Sequence, residues 1–472
     1  TSDGVVAQRR GLANAGDAIL AQLLRGSVIG VKRFATIPYF AAQVDADALQ
    51  VLSDLQTVTS IVEDALARPT LSESTTIVQA NQVWGGGPWG VGVTGTGWYV
   101  AILDTGVDKT HEMFAGGKVA SEACYSTTGS GGTSVCPGGS NSTAPGSGVN
   151  CSAALDGCDH GTHVAGIAAG NASALKGVAP GAGIIAIQVF SAFGNSVGAF
   201  NSDIILGLGR VLALAGSGSI ASANMSLGGS TKYTSDAACD AANGAVKAAI
   251  DNLRSVNIAT VIASGNDWWS NGISAPGCIS TAVAVGSTTK AGAVSSFSNM
   301  APGMVELLAP GSSIRSSVPG NGYESWDGTS MATPHAAGAW ALLKAVAALK
   351  GNAGSVTTIL SALQTTGKAI VDSPAAGSGG TYREMRIYDA AVLIDGGSGS
   401  APGAPSGLTS SVSGSNIGLG WTAPTTGGAP TAYTIEAGSG PGLANLANFS
   451  TENTATTYAT GGVGNGTYYV RV

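Results

Sequence analysis

Charged side chains are scarce in this sequence of 472 residues: Asp, Glu, Lys and Arg together make up 10% of it, against 44% hydrophobic residues. With 72 glycines, this composition is typical of a compact, loop-rich chain and not of a disordered one. The net charge is −7, and no basic cluster interrupts the acidic balance. The sequence therefore argues against nucleic acid or an anionic membrane surface as the main partner.

Two further absences narrow the class of protein. No apolar run reaches the length of about 20 residues that is needed to cross a membrane. None of the six cysteines lies in a Cys-x-x-Cys pattern, which disfavours a zinc or redox site and favours disulfides in an exported protein. The chain begins at Thr1 without an apolar leader, so we expect that any export signal has been removed or was never cloned.

Six cysteines allow 15 pairings, and the sequence alone does not rank them. We expect local pairing for four of the cysteines, because each such pair closes a short loop. The expected disulfides are Cys124–Cys136, Cys151–Cys158 and Cys239–Cys278.

The length exceeds the size at which one hydrophobic core stops growing, so two or three domains are expected. Residues 13–24 have the periodicity of an amphipathic helix, and residues 31–44 alternate as a strand pair or one bent strand. Asp45 begins a second helix, and residues 58–64 return as a strand. These patterns predict a small open α+β unit over residues 1–72, followed by a connector over residues 73–83.

A candidate catalytic carboxylate, Asp104, follows the buried strand predicted over residues 97–103. Open α/β sheets place their sites at the carboxyl ends of strands. In isolation, the same aspartate could simply cap a turn. An aspartic protease would need a second Asp-Thr-Gly or Asp-Ser-Gly segment, which the sequence lacks.

Two histidines, His160 and His163, lie three residues apart in a helix of small residues. They could be metal ligands, but the His-Glu-x-x-His pattern of zinc proteases is not met in spacing or in its glutamate. We therefore interpret His160 as a base at the open end of the helix and His163 as a packed structural residue.

The candidate nucleophile is Ser330, in a turn of small residues over 328–335 that runs into an apolar, alanine-rich helix. N–H groups at a helix start favour negative charge on a nearby atom. As a competing interpretation, Ser330 only caps the helix.

The chain order Asp104, His160, Ser330 separates the serine hydrolase families. The α/β-hydrolases have the order Ser, acid, His, and the chymotrypsin type has His, Asp, Ser, so only the subtilisin order fits. Residues 102–107, 160–166 and 328–335 resemble the three signature blocks of subtilisin-like serine proteases. The resemblance extends over residues 84–395 and implies an α/β fold with a parallel sheet flanked by helices.

This resemblance also implies a chemical role for each residue. Asp104 would orient His160, His160 would take the proton of Ser330, and Ser330 would form an acyl-enzyme. Asn266 follows a buried strand at the position of the family's oxyanion asparagine.

Substrate would bind as an extended strand along residues 226–229, with side pockets that select residues. Glycines around the primary pocket favour a large apolar side chain before the scissile bond, whereas the carboxylate of Asp267 could also favour Lys or Arg. The expected substrate-binding residues are Ser226, Leu227, Gly228, Gly229, Ser264, Gly265 and Asp267. By the same resemblance, the Ala275–Pro276 bond is predicted to be cis.

No cofactor is expected, and no metal site is assigned. Met113 stands where the family often has an aspartate ligand for calcium, and the loop over residues 171–176 has no carboxylate. Asp/Asn-rich loops elsewhere could still hold a weakly bound structural calcium ion.

The two ends of the chain resemble further modules. Residues 1–72 resemble the propeptide that folds and inhibits subtilisin-like proteases. Residues 396–405 consist of Gly, Ser, Ala and Pro only, which predicts a linker. Strand patterns over residues 406–472 resemble a fibronectin type III module that we expect to be partial, with a β-sandwich fragment as its fold.

These observations predict a secreted, monomeric serine endopeptidase that acts on proteins and peptides, is made as an autoprocessed zymogen, and has its own propeptide as an inhibitor. A binding or adhesion protein with an inert protease domain is a second hypothesis, which the intact set of four site residues disfavours. An esterase or peptide ligase that uses the same acyl-enzyme is a third.

Overall fold

In this computed structural model, the described residues are 11, 14–23, 27–34, 37–61, 66–67, 74–173, 175–216, 219–351, 354–373, 377–396, 404–424, 430, 433–440, 446–451 and 454–472. The chain forms two compact units, Thr1–Ile394 and Asp395–Val472. Each is described by itself.

The N-terminal part of the first unit contains a short hairpin and two helices. Residues 14–20 form α1, and the antiparallel pair β1 (Val28–Arg33) and β2 (Phe40–Val44) precedes α2 (Ala46–Asp54). Asp45 caps α2, because its side chain accepts a hydrogen bond from the Ala48 N–H at 2.9 Å.

The strand predicted over residues 58–64 is wrong where it can be compared. Residues 58–61 are not in a strand, and residues 62–65 lie outside the described residues. The next strand is β3 (Leu66–Ala67), which pairs with a strand far along the chain and not with the hairpin. Local alternation does not reveal such a long-range partner.

A sheet of nine strands forms the centre of the first unit, in the spatial order β18-β19-β15-β14-β12-β10-β4-β7-β5. All neighbouring pairs are parallel except β18 with β19. The nine strands are β4 (Tyr99–Asp104), β5 (Val119–Cys124), β7 (Gly183–Gln188), β10 (Ile220–Met225), β12 (Ala259–Ala263), β14 (Val283–Thr288), β15 (Leu307–Pro310), β18 (Lys368–Val371) and β19 (Thr381–Glu384).

Both faces of this sheet are covered by helices, which is why its central strands are apolar throughout instead of alternating. Strand β4 shows the division between the faces: Val100 and Ile102 lie in one hydrophobic cluster, and Ala101 and Leu103 lie in the other. The helices after the N-terminal part are α3 (Ala80–Gly85), α4 (His160–Ala169), α5 (Asn201–Leu214), α6 (Asp236–Ala242), α7 (Gly244–Ser255), α8 (Thr329–Leu349), α9 (Val356–Thr366) and α10 (Ile387–Ile394). The expected α/β fold is confirmed.

The first unit also contains smaller sheets and short turns. Two are antiparallel pairs of strands, and one joins β3 to three later strands. Their members are β6 (Thr133–Ser134), β8 (Ser191–Phe193), β9 (Ser196–Phe200), β11 (Lys232–Tyr233), β13 (Ile273–Ser274), β16 (Ile314–Val318) and β17 (Gly322–Trp326). Glu112–Phe114 and Pro137–Gly139 form short 3-10 turns.

Three disulfides join Cys124 to Cys136, Cys151 to Cys158 and Cys239 to Cys278. These are the expected pairs: the first two close short loops, and the third joins the remaining two cysteines. Among the described residues, no helix combines the length and apolar character that a membrane crossing needs.

The second unit consists of two antiparallel sheets, each with three described strands. Leu419, Trp421, Tyr433 and Ile435 form a shared apolar core between them. The sheets are β20-β21-β24 and β23-β22-β25, with the bounds β20 (Ser406–Ser413), β21 (Asn416–Thr422), β22 (Thr434–Gly438), β23 (Ala447–Ser450), β24 (Thr457–Thr460) and β25 (Tyr469–Arg471).

Candidate active site

The candidate site lies where neighbouring parallel strands of the large sheet end. Asp104 is the last residue of β4, Ser226 follows β10, and Ser264 follows β12. Strand β10 pairs with both β4 and β12, so these three positions lie at the same edge of the sheet. This is the place where open α/β folds bind their ligands.

Asp104 and His160 are joined directly. Oδ1 of Asp104 lies 2.7 Å from Nδ1 of His160 and also accepts the Thr105 N–H at 2.8 Å. Both side chains are almost fully buried, at 0% and 1% exposure. Since water is excluded from this pair, the carboxylate holds the imidazole ring in one orientation.

The backbone brings His160 to Asp104 because α4 begins against the turn that follows β4. Thr105 accepts the Gly161 N–H on its side-chain oxygen at 2.9 Å. A Cβ atom on Gly161 would lie 2.2 Å from the Gly106 carbonyl oxygen. Only glycine allows this approach of helix to turn.

Ser330 is the second residue of α8, and α8 packs against α4, which His160 begins. Its hydroxyl donates to the Ser226 carbonyl at 3.1 Å, and its own carbonyl accepts the Ser226 hydroxyl at 2.6 Å. Ser330 is thus tied to the segment after β10, at the buried start of a long helix.

The side chain of Asn266 is oriented from the same helix start. Its Oδ1 atom accepts the Thr329 N–H at 2.8 Å and the Thr329 hydroxyl at 3.0 Å. The Thr329 oxygen also accepts the Gly265 N–H at 3.2 Å. The amide nitrogen of Asn266 therefore lies on the side of the amide that is turned away from Thr329.

The expected pocket residues lie together, although less space is left than their glycines suggest. Ser226 and Leu227 are buried, and the Gly229 N–H donates to the Ala275 carbonyl at 2.8 Å. A Cβ on Gly228 would lie 3.2 Å from the Cβ of Ser274. The Ala275–Pro276 bond is cis, as the resemblance predicts.

Space beside Gly265 is filled as well. This residue has a φ of +106°, and a Cβ there would lie 2.2 Å from the amide nitrogen of Asn299. Asn299 also donates to the Asp267 carboxylate at 3.0 Å. The side of the pocket that was expected to be roomy therefore carries polar groups.

The sequence of this chain is similar to the sequences of known proteins. Residues 95–380 match the Subtilase family, Peptidase_S8. The chain belongs to this family. It is 31% identical over 345 residues to the M-protease of Shouchella clausii, covering 70% of this chain and 76% of that protein.

Two other relatives have similar identity. The subtilisin-like serine protease AsES of Sarocladium strictum is 34% identical over 342 residues, covering 70% of this chain and 76% of that protein. The extracellular protease of Xanthomonas campestris is 33% identical over 365 residues, covering 71% of this chain and 59% of that protein. This subtilase is therefore a serine endopeptidase.

His163 and His335 are buried residues of the subtilase that lie outside the Asp104–His160 pair. His163 stacks on Trp326 at 4.2 Å between ring centroids, and burial lowers its pKa to about 3. His335 is fully buried, and burial lowers its pKa to about 4. Both rings are neutral at physiological pH, which fits structural positions better than proton transfer.

The residues around Met113 do not fit a calcium ion. Met113 is buried. Its terminal methyl group would lie 2.2 Å from a Cβ on Gly170, which directly precedes the loop over residues 171–176 considered above for calcium. The Met113 carbonyl accepts the Asn171 N–H at 2.9 Å. Calcium requires several oxygen ligands, and a thioether at this position supplies none.

Sequence reasoning missed three features of this subtilase site. Thr329 orients Asn266, Asn299 contacts Asp267, and β9 has β3 as its partner. The role of Thr329 could have been predicted from the sequence, because Thr329 directly precedes Ser330. Nothing local in the sequence points to Asn299 or β9, since their contacts form only in the folded chain.

Proposed function

We propose that this subtilase is a secreted endopeptidase that hydrolyses proteins through an acyl-enzyme on Ser330 and is made as an autoprocessed zymogen. The observation that carries the proposal is the buried 2.7 Å contact between Asp104 and His160, at the start of a helix that packs against α8, whose second residue is Ser330. It supplies an oriented base next to a nucleophile at a helix start.

In the proposed reaction, His160 Nε2 takes the proton of the Ser330 hydroxyl as Oγ bonds to the substrate carbonyl carbon. Asp104 keeps the other ring proton on Nδ1 and stabilises the imidazolium ion. His160 then returns the proton to the leaving nitrogen as the C–N bond breaks. Water attacks the acyl-enzyme with the same base, which releases the acid and restores Ser330.

Negative charge on the tetrahedral oxygen would be stabilised by the amide nitrogen of Asn266 and the N–H of Ser330. Two features support this role. Thr329 holds the Asn266 oxygen on the opposite side, and Ser330 lies in the first turn of α8, where the helix dipole favours negative charge.

Substrate would lie between the segment at 226–229 and strand β9. The pairing of Leu66 with Phe200 and of Ala67 with Ala199 supports this, because it places a separate stretch of backbone along β9 as an added antiparallel strand. Backbone pairing suits a protease that accepts many sequences. We propose a large apolar residue before the scissile bond.

The stretch that supplies β3 belongs to the proposed propeptide, residues 1–72, which would inhibit the enzyme until it is cut in the connector at 73–83. Lys32 forms a 2.5 Å ion pair with Asp203 in α5, and Phe34 and Ile37 are buried in the same cluster as residues of α5 and α7. These contacts support a docked inhibitor over a separate N-terminal domain.

The remaining parts have simpler proposed roles. Residues 84–395 form the catalytic domain, residues 396–405 a linker, and residues 406–472 a partial fibronectin type III module that acts as a spacer or attachment unit. The proposed chemistry needs no cofactor, and we propose that the enzyme acts as a monomer.

The decisive experiment compares casein cleavage by the wild-type chain with cleavage by Ser330→Ala. We expect cleavage to fall by at least about 10³-fold, because the acyl-enzyme cannot form. Ser313→Ala is a matched control, since Ser313 lies outside the site in the turn before β16 and should leave cleavage unchanged. Undiminished cleavage by Ser330→Ala would refute the nucleophile assignment.

A further inference from the structure

Asn299 is a buried side chain that contacts the expected pocket residues, and the proposed reaction gives it no role. It is fully buried, and it follows β14 by several residues, on a segment without a named strand or helix. A fully buried amide is retained only when its donors and acceptors are satisfied.

The oxygen of the Asn299 side chain fixes the residues just after Asn266. It accepts the N–H of Asp267 at 2.8 Å and the N–H of Trp269 at 3.1 Å. The Asn299 backbone N–H donates to the Gly265 carbonyl at 2.9 Å, just before Asn266. Asn266 is therefore held from both sides by one residue.

The nitrogen of the same side chain contacts the pocket. It lies 3.2 Å from the Ser264 carbonyl oxygen, 3.0 Å from Oδ2 of Asp267 and 3.3 Å from the Ser274 hydroxyl. An amide has two N–H bonds, so three acceptors share two donors. Asn299 thus links two walls of the pocket and fixes the direction of the Asp267 carboxylate.

We propose that Asn299 is a positioning residue that holds the turn carrying Asn266 and sets the charge preference of the primary pocket by restraining Asp267. The inference rests on the proposed function, in which Asn266 stabilises the oxyanion and Asp267 lines the primary pocket. With its carboxylate held by Asn299, Asp267 is a poor partner for a Lys side chain of the substrate. Without Asn299, the carboxylate can turn into the pocket.

The test uses the autoprocessed enzyme, obtained by expressing the full chain, and two peptide anilides that differ only in Phe or Lys before the scissile bond. For Asn299→Ala we expect the Lys-to-Phe ratio of kcat/KM to rise about tenfold, because a released carboxylate attracts the ammonium group. For the Phe peptide, kcat should fall about tenfold with a smaller change in KM, since a loosened Asn266 acts on the transition state.

Asp267→Asn completes a double-mutant cycle. We expect it to lower the Lys-to-Phe ratio at least about threefold more in the Asn299→Ala background than in the wild type, because the two side chains are coupled. Thr288→Val is the matched control. Its buried hydroxyl donates to Glu384 at 2.6 Å, away from the site, so its loss should lower the melting temperature and leave the ratio unchanged.

Some outcomes would overturn the inference. An Asn299→Ala enzyme that melts lower but keeps both kcat and the Lys-to-Phe ratio would show a purely structural residue. If that variant does not fold, a tenfold or larger loss of the ratio in Asp267→Asn alone would show that the carboxylate already faces the substrate, which also refutes the proposal. Cleavage that survives Ser330→Ala would instead refute the proposed function.

Discussion

At the scale of single residues, hydrogen-bond partners separate the buried histidines of this chain into different chemical positions. His160 is held by a carboxylate through Nδ1. In contrast, His335 donates from Nδ1 to the Met331 carbonyl at 2.7 Å and accepts the Ser74 N–H on Nε2 at 3.1 Å. Both nitrogens of His335 are therefore used by the neutral ring, and a second proton would break the contact with Ser74.

This arrangement predicts acid sensitivity of the fold. Burial lowers the pKa of His335 from 6.5 to about 4, so the unfolded chain binds its proton first as the pH falls. Stability is lost between about pH 6.5 and pH 4, and this one group costs about 2 kcal/mol of unfolding free energy between pH 7 and pH 5.

The measurement is urea unfolding at pH 7 and pH 5 in the Ser330→Ala background, which prevents self-digestion. His335→Gln lacks the titrating group, so it should lose about 2 kcal/mol less than the parent over this interval. Equal losses in both chains would show that His335 does not carry the effect. His163 contributes in the same direction in both chains, because burial also lowers its pKa.

At the scale of secondary structure, the contact between α4 and the turn after β4 determines whether Asp104 and His160 meet. Gly161→Ala would place a Cβ 2.2 Å from the Gly106 carbonyl oxygen, and both sides of this contact are backbone. The helix must therefore shift. A displacement of about 1 Å is enough to lower kcat/KM about 100-fold.

Gly209→Ala is the matched control for that prediction. Gly209 lies in α5, and a Cβ there has no neighbour within 4 Å. Alanine should stabilise the helix by up to about 1 kcal/mol and leave peptide cleavage unchanged. If Gly161→Ala cleaves peptides as well as Gly209→Ala does, the packing of α4 does not control the candidate pair.

Local sequence signals predict some of these strand ends and helix starts and not others. Asp104 at a strand end and His160 and Ser330 at helix starts were predictable, because apolar runs and small-residue turns are local signals. The strand over residues 58–64 was wrong, since the pairing of β3 is decided by β9, more than a hundred residues away. The role of Asn299 could not be predicted either, because its contacts are with residues that are distant in the sequence.

At the scale of the whole molecule, a buried charge pair joins the N-terminal hairpin to the large sheet domain, in addition to the apolar contacts of Phe34 and Ile37. Lys32 Nζ contacts Oδ1 of Asp203 at 2.5 Å and the Ser202 hydroxyl at 2.6 Å. Asp203 is fully buried, and its other oxygen accepts the Thr127 hydroxyl at 2.9 Å. Burial raises the pKa of Asp203, so its charge depends on these partners.

Removal of Lys32 should therefore weaken the attachment strongly. Lys32→Ala leaves a buried carboxylate without its cation, which costs about 3 kcal/mol or more. We expect a lower urea midpoint of unfolding in the Ser330→Ala background. In the active chain, we expect residues 1–72 to be removed faster by proteolysis.

The adjacent residue provides the control. Arg33 pairs with Asp17, but the two side chains are 50% and 56% exposed, so water screens the pair and Arg33→Ala should cost less than about 1 kcal/mol. Neighbouring cations on one strand thus differ in effect because only Lys32 reaches a buried partner on α5. Equal shifts for the two variants would show that the buried pair does not hold the hairpin in place, and the docked-inhibitor proposal would lose its main electrostatic support.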